Sequence, residues 1–170
     1  ADKNNPTDLI HAFSKSLKIK LFPVHRLDFE VSGILLIAKN AEAHKQTSLW
    51  FENRTIQKTY EALTELNPEK KLQNGDAFEW VHKLHRGKKR VFIADHGKES
   101  ITFAKYINKI KFKNQDAMLW HLQPKTGRSH QLRFHLSNFG FPIFGDALYG
   151  AKNSSLLAKN TIALRAIGLS

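Results

Sequence analysis

Three residues, Arg26-Leu27-Asp28, put a guanidinium two positions from a carboxyl group in His25-Arg-Leu-Asp-Phe-Glu-Val-Ser-Gly33. The apolar run Ile34-Leu-Leu-Ile-Ala38 follows at once, and Lys39-Asn40 closes it. A short apolar run bounded by Gly33 and polar residues predicts a fully buried strand. The turn before it would hold Arg26 and Asp28 at the rim of a core. Burial there raises a carboxyl pKa, and a neighbouring cation lowers it. An ionised Asp28 so placed can serve as nucleophile or base, as carboxylates do in glycosidases. A turn acid capping backbone N–H groups is the plainer reading, and position alone leaves both open.

Two more constellations carry possible chemistry. In Thr126-Gly-Arg-Ser-His-Gln-Leu-Arg133, Arg128 falls at an expected helix start, where free N–H groups favour an anion. It could bind phosphate or pair with Asp28. Arg133, five residues on, is expected on a different face. Two solvated arginines around a packed His130 is the alternative. In Lys58-Thr59-Tyr60 the cation and the ring share one face of a strand. That suits a nucleotide, with phosphate on Lys58 and base stacking on Tyr60. A core Tyr with a solvated Lys is the simpler reading.

The elements that must position these residues are mixed. Residues 8–18 place Leu9, Ile10, Phe13 and Leu17 near one helical face, with Thr7 or Asp8 as cap. Residues 41–52 read as a second helix, with Leu49, Trp50 and Phe51 packing its end. Residues 58–66 read as a strand stopped by Asn67-Pro68. Short strands joined by turns are expected over 68–98. Residues 100–112 and 117–123 form a hairpin around 113–116. A helix then runs from a Ser129 cap to Gly140. Gly145–Gly150 is a tight turn, 151–160 a polar linker, and 162–169 a final strand. The sum is a mixed α+β domain over 1–170 dominated by strands, with no linker that divides it.

Composition narrows the class. In 170 residues, 27 Lys and Arg oppose 15 Asp and Glu, a net charge of +12. A folded domain this basic points to a polyanion, and RNA or DNA before a membrane surface. There is no cysteine, so disulfides, thiolate catalysis and Cys-type zinc sites are excluded. The nine histidines include His82/His85 and His130/His135, neither with the spacing of a zinc protease motif. No metal and no cofactor is expected. No apolar run reaches the roughly 18 residues of a membrane span.

His25-Arg-Leu-Asp28, continuing through Val31-Ser-Gly-Ile-Leu-Leu-Ile-Ala-Lys39, resembles the catalytic motif of the RluA-type pseudouridine synthases. Lys58-Thr-Tyr60 is similar to their second motif. Thr126–Leu136, followed by Gly140–Gly150, is similar to their third. The resemblance implies the pseudouridine synthase fold: a mixed, mainly antiparallel bent sheet with flanking helices and a central RNA-binding cleft. It implies an isomerase that converts uridine in rRNA or tRNA to pseudouridine, without cofactor. Asp28 would be the nucleophile. Arg26 would help extrude the target nucleotide, Tyr60 would stack on the uracil and assist proton removal, and Arg128 would keep Asp28 ionised. Lys58, Leu132 and Arg133 would contribute to RNA binding, with Leu132 on the pocket floor. Such a protein is expected to be cytoplasmic and monomeric, with RNA as its partner and no membrane.

Val31 and Ser129 stand where the family usually has Thr. The family normally carries strands before the first motif, with a Lys-Pro segment, and after the third; the upstream segment is not found in these residues. That gives the expectation of one catalytic domain truncated at both ends, or a compact variant. The rival readings are an inactive RNA-binding module of the same fold and a metal-dependent nuclease, which would need acidic ligands not evident here.

Overall fold

The computed structural model describes residues 9–152 and 157–170. Two compact units divide the chain: Ala1–Leu27 with Leu35–Ile56, and Asp28–Ile34 with Gln57–Ser170.

The first unit is small. Helix α1 spans Leu9–Leu17, while its expected caps, Thr7 and Asp8, lie outside the described residues. Strands β1 (Phe22–Pro23) and β3 (Ile37–Ala38) pair antiparallel, Phe22 opposite Ala38. Helix α2 (Ala41–Glu52) starts at Asn40, whose side chain accepts from the Ala43 N–H at 2.8 Å. That capping bond satisfies one of the orphan donors at a helix start. At the other end Phe51 stacks on His25, ring centroids 4.9 Å apart, while Leu49 and Trp50 are exposed.

The second unit is a seven-stranded sheet in the order β2-β9-β4-β8-β7-β5-β6. Its strands are β2 (Ser32–Gly33), β4 (Lys58–Thr64), β5 (Ala77–Arg86), β6 (Val91–Ile93), β7 (Lys98–Phe112), β8 (Gln115–Pro124) and β9 (Leu164–Leu169). Among the described residues only β2 and β9 run parallel, and the sheet's other pairings are antiparallel. The β7–β8 hairpin turns on Lys113 and Asn114 alone, both at positive φ (46° and 66°). A two-residue turn of that kind matches the twist of its strands. It is tighter than the expected 113–116 turn, because Asp116 belongs to β8 and bridges Lys109 and Lys111.

Helix α3 (Gln131–Asn138) packs its Leu132 and Leu136 on the sheet, against Trp80, Tyr106, Trp120 and Leu122. Aromatic rings fill this core, with Trp80, Trp120 and Phe139 mutually within 6.3 Å between centroids. The Trp120 indole N–H donates to the Thr64 hydroxyl at 2.9 Å, so its polar edge is buried with a partner. A short 3-10 turn (Ala147–Tyr149) follows, with Tyr149 buried.

One expectation is corrected. Residues 34–38 do not form a buried strand. Ile34 is 44% exposed, and of the five residues only Ala38 is buried. The run is divided between two sheets. Ser32 and Gly33 pair with Arg165 and Ala166, and the Ile34 N–H donates to the Ala166 carbonyl, whereas Ile37 and Ala38 pair with β1. Gly33 permits the close approach to β9: its φ is +117°, and a β-carbon there would stand 2.1 Å from the Ala166 oxygen.

Candidate active site

The second unit brings Tyr60, His130 and Arg133 each into electrostatic range of Asp28. Asp28 lies half-buried in a pinned loop. The Val31 N–H donates to the Asp28 carbonyl at 3.0 Å, and the Ile162 N–H to the Glu30 carbonyl at 3.1 Å. The intervening Phe29 is 77% exposed. Among the described residues, no hydrogen bond or ion pair ends on the Asp28 carboxylate.

Tyr60 stands on β4 opposite Leu122 and Ala166. Beside it β9 carries one extra residue, Ile167, which shifts the pairing between Thr59 and Tyr60. A bulge of this kind re-aims neighbouring side chains. Burial, and then the negative charge of Asp28, raise the Tyr60 pKa. The phenol is therefore protonated at neutral pH. Lys58, at the start of the strand, has its amine 3.5 Å from where a β-carbon on Gly127 would stand.

Arg133 is the site's buried cation, 2% exposed. Its Nε and Nη2 donate to the two carboxylate oxygens of Asp146 at 2.7 and 2.8 Å, and its Nη1 donates to Glu30 at 3.1 Å. Asp146 is itself 1% exposed, so the fork-to-fork pair is dry. Burial opposes the charge on Arg133, but the bonds and charge of Asp146, then Glu30 and Asp28, raise its pKa above the ordinary value. Arg133, expected as an RNA contact on a different face, is thus a buried ion-pair partner that feels Asp28.

Arg128 is placed otherwise. Its Nε donates to the Glu99 carbonyl at 3.0 Å, and its backbone N–H donates to the Gln131 side chain. Its guanidinium is thus engaged by the β7 backbone. The helix does not begin at Ser129. His130 occupies its cap position with left-handed backbone (φ 52°, ψ 18°) and makes no capping bond. The start is fixed instead by Gln131, whose Oε1 accepts from the Thr126 hydroxyl and the Arg128 N–H. Its Nε2 donates to the Ile101 carbonyl and the Thr102 hydroxyl, all at 2.8–3.0 Å. All four hydrogen-bonding positions of that buried amide are filled. Leu132 is buried in the core beneath. Arg26 is exposed and belongs to the first unit.

Four participants were not assigned a site role from sequence: Glu30, His130, Asp146 and Tyr149. The signal for Asp146 is Gly145-Asp146, an acid in the turn-rich segment that follows the arginine-bearing helix. Glu30 carried none. Among the described residues no cluster of three or more His, Asp or Glu is arranged to hold a metal ion, and no helix is long and apolar enough to cross a membrane.

A seven-stranded, mostly antiparallel sheet with an acid-and-arginine centre at its helix-bearing face defines the class. The family model described as RNA pseudouridylate synthase matches residues 1–138, and the chain belongs to that family. It is 35% identical over 133 residues to a protein of Aquifex aeolicus described as an uncharacterized RNA pseudouridine synthase, covering 78% of this chain and 41% of that one. It is 37% identical over 149 residues to ribosomal large subunit pseudouridine synthase D of Borreliella burgdorferi, covering 84% of this chain and 44% of the relative. The chain thus spans less than half the length of these relatives. Among solved structures, human RNA pseudouridylate synthase domain containing 1 superposes with a TM-score of 0.74 at 28% identity, over 88% of this chain and 63% of that one. Human RNA pseudouridylate synthase domain containing 4, at 22% identity and a TM-score of 0.70, has the same fold over 95% of this chain and 72% of its own.

Proposed function

We propose that this chain isomerises uridine to pseudouridine in RNA, with Asp28 as the nucleophile. The observation that carries the reading is the charge arrangement around Asp28. A half-buried carboxylate lies within electrostatic range of an arginine held by Asp146 and Glu30. The carboxylate is the reactive form of such a group, and Arg133 adds a positive charge near it that its bonds to Asp146 and Glu30 hold in place.

The chemistry balances without a co-reactant. The N1–C1′ bond of uridine breaks, the uracil turns, and a C5–C1′ bond forms. C5 loses its proton and N1 gains one. Asp28 carries the covalent intermediate and is released. Tyr60, kept protonated, suits stacking on the uracil. Arg26, exposed, carries the part in extruding the target nucleotide that its place in the His25–Asp28 motif implies. Extrusion of a base from a stem costs a few kcal/mol, and phosphate contacts with a chain of net charge +12 offset it. Relatives named for the large ribosomal subunit make rRNA the first substrate to test, tRNA the second. In this reading the chain works as a monomer in the cytoplasm.

RNA carrying tritium at uridine C5 provides the test, because C5–C1′ bond formation releases that tritium to water. Release by the wild-type chain, with none by a folded Asp28→Ala variant, is the expected result. Release that survives Asp28→Ala overturns the mechanism. Binding of RNA without release by either protein would favour the inactive module, and chelator-sensitive strand cleavage would favour a nuclease.

A further inference from the structure

Strand β6 is an edge of the seven-stranded sheet, and the surface around it is apolar and open. Phe92 is 45% exposed, and Ile93 and Val81 are exposed beside it. An edge of this kind templates pairing with another chain unless something guards or occupies it. Here the surrounding charge has one sign. From Val81 to Ala94 the chain carries five Lys and Arg and no acid. Three of these cations, Lys88, Lys89 and Arg90, are exposed in the turn between β5 and β6.

The two faces of this edge differ. Leu84 on β5 is buried in a cluster with Val91 and Tyr149, against which Phe134 of α3 packs. Side chains alternate along a strand, so His85 lies on the face turned away from α3. Its cross-strand partner Phe92 lies there with it, ring centroids 5.4 Å apart. His96 meets His85 edge-on at 4.5 Å, which makes a row of three rings. Gly87 lets Phe92 lie down at the end of the row. A β-carbon on Gly87 would stand 3.1 Å from the Phe92 ring and 3.0 Å from the Arg90 carbonyl. The Gly87 backbone is not left-handed, so this glycine serves close approach rather than conformation. Phe92 thus rests on the turn that bears Lys88, Lys89 and Arg90.

Arg86 ties the same edge to the candidate site. It follows His85 in sequence but points to the other face, where its Nη1 lies 3.2 Å from His130 Nδ1. Positive charge therefore runs from the surroundings of Asp28, over the β5–β6 turn, to the ring row behind it.

We propose that this edge binds a single-stranded stretch of RNA flanking the target uridine, its phosphates on Lys88, Lys89 and Arg90 and a base stacked on Phe92. Cations next to an exposed ring suit unpaired nucleotides, whose bases offer a π-face whatever their sequence. A duplex hides those faces and would leave Phe92 without a partner. A second copy of the chain would set five like charges against five. The proposal rests on the reading of RNA as substrate.

The test compares two labelled RNAs by fluorescence anisotropy with the full chain. One is a stem-loop with uridines in its loop, and the other is the same stem-loop with a single-stranded oligoadenosine tail at each end. Wild type should bind the tailed RNA about tenfold more tightly, and annealing complements to the tails should remove the gain. Phe92→Leu keeps apolar packing on Gly87 but has no π-face; it should lose the gain, and Phe92→Trp should keep it. Phe92→Leu should still match wild type in binding and tritium release with the bare stem-loop, which a general folding defect would not allow. Lys88→Gln, Lys89→Gln and Arg90→Gln together should flatten the slope of log affinity against log salt on the tailed RNA by about 2. No gain from the tails in wild type, or a gain that survives Phe92→Leu, overturns the proposal. So does a wild-type dimer in sedimentation that Phe92→Leu dissolves, which would give the edge to a second copy. Tritium release without a tail gain leaves the isomerase reading intact, and a Phe92-dependent tail gain without tritium release counts against that reading alone.

Discussion

Acid should destabilise this fold through one buried ring, His135. It lies on α3 two residues after Arg133 and is 1% exposed. Its Nδ1 is 2.9 Å from the Thr102 hydroxyl, its Nε2 is 3.5 Å from Ser100 Oγ, and Trp80 meets its ring edge-on at 6.0 Å. Among the described residues no carboxylate bonds the ring to compensate a proton there. Burial, followed by the neighbouring His82, lowers the His135 pKa to about 3. The unfolded chain has an ordinary histidine, near 6.5. Between these values the unfolded state binds the extra proton, so stability falls as pH falls below about 6.5 and continues to fall to about 3. From pH 7 to pH 5 this single group removes about 2 kcal/mol, since each pH unit between the two pKa values is worth about 1.4 kcal/mol.

Urea denaturation at both pH values, for wild type and His135→Gln, isolates the effect. Gln can keep a bond to Thr102 and cannot titrate. Wild type should lose about 2 kcal/mol more than the variant between pH 7 and pH 5, whatever the other histidines and carboxylates contribute to both. His82, also lowered by burial and 5.2 Å away between ring centroids, supplies a smaller loss of the same sign that remains in the variant. An equal pH dependence in the two proteins would refute the reasoning.

Other perturbations read other parts of the structure. Asp146→Ala leaves Arg133 buried with only Glu30 as a direct partner, so urea denaturation should show a loss of about 3 kcal/mol. Arg133→Lys cannot keep the two-oxygen fork on Asp146, and tritium release should fall more than tenfold while circular dichroism shows a folded chain. Arg128→Ala removes one bond to a backbone carbonyl and should cost no more than about 1.5 kcal/mol by the same denaturation. Gly33→Ala forces a β-carbon into the Ala166 carbonyl at a positive φ, so its thermal midpoint should drop by several degrees.

The candidate site was legible only as separate stretches, around Asp28, around Tyr60 and over Thr126–Arg133, each marked by its own local pattern. Asp28 precedes an apolar run that Gly33 bounds, and Tyr60 lies in a strand whose end Asn67-Pro68 announces. The β7–β8 hairpin shows itself by its β-rich runs around a polar turn, although its turn is two residues tighter. The split of 34–38 was hidden because an apolar run carries no mark of which sheet each residue joins. Gly33 and Ile34 join β9 while Ile37 and Ala38 join β1, and both halves are apolar. Arg128 and Arg133 could not be sorted by helical spacing, because Arg128 lies outside the helix. A left-handed His130 separates them, and nothing in its residue type demands that conformation.

Arg133 shows why fold and chemistry are hard to separate here. A buried guanidinium is costly unless its donors are satisfied, and Asp146 and Glu30 satisfy three of them. Those same bonds fix the cation's position beside Asp28. They join α3 to the segment after it and to the loop that precedes β2, across 13 and 103 residues of chain. The arginine therefore holds a positive charge near Asp28 and ties down the loop that carries it by the same contacts. A substitution that frees the guanidinium should loosen the loop and weaken the field on Asp28 at once. Loss of turnover and loss of stability should then rise together across a series at Asp146 and Glu30, with Glu30→Gln mildest because its side chain is 29% exposed and gives one bond. A series in which turnover falls while urea stability holds would show that the arginine acts on the reaction alone.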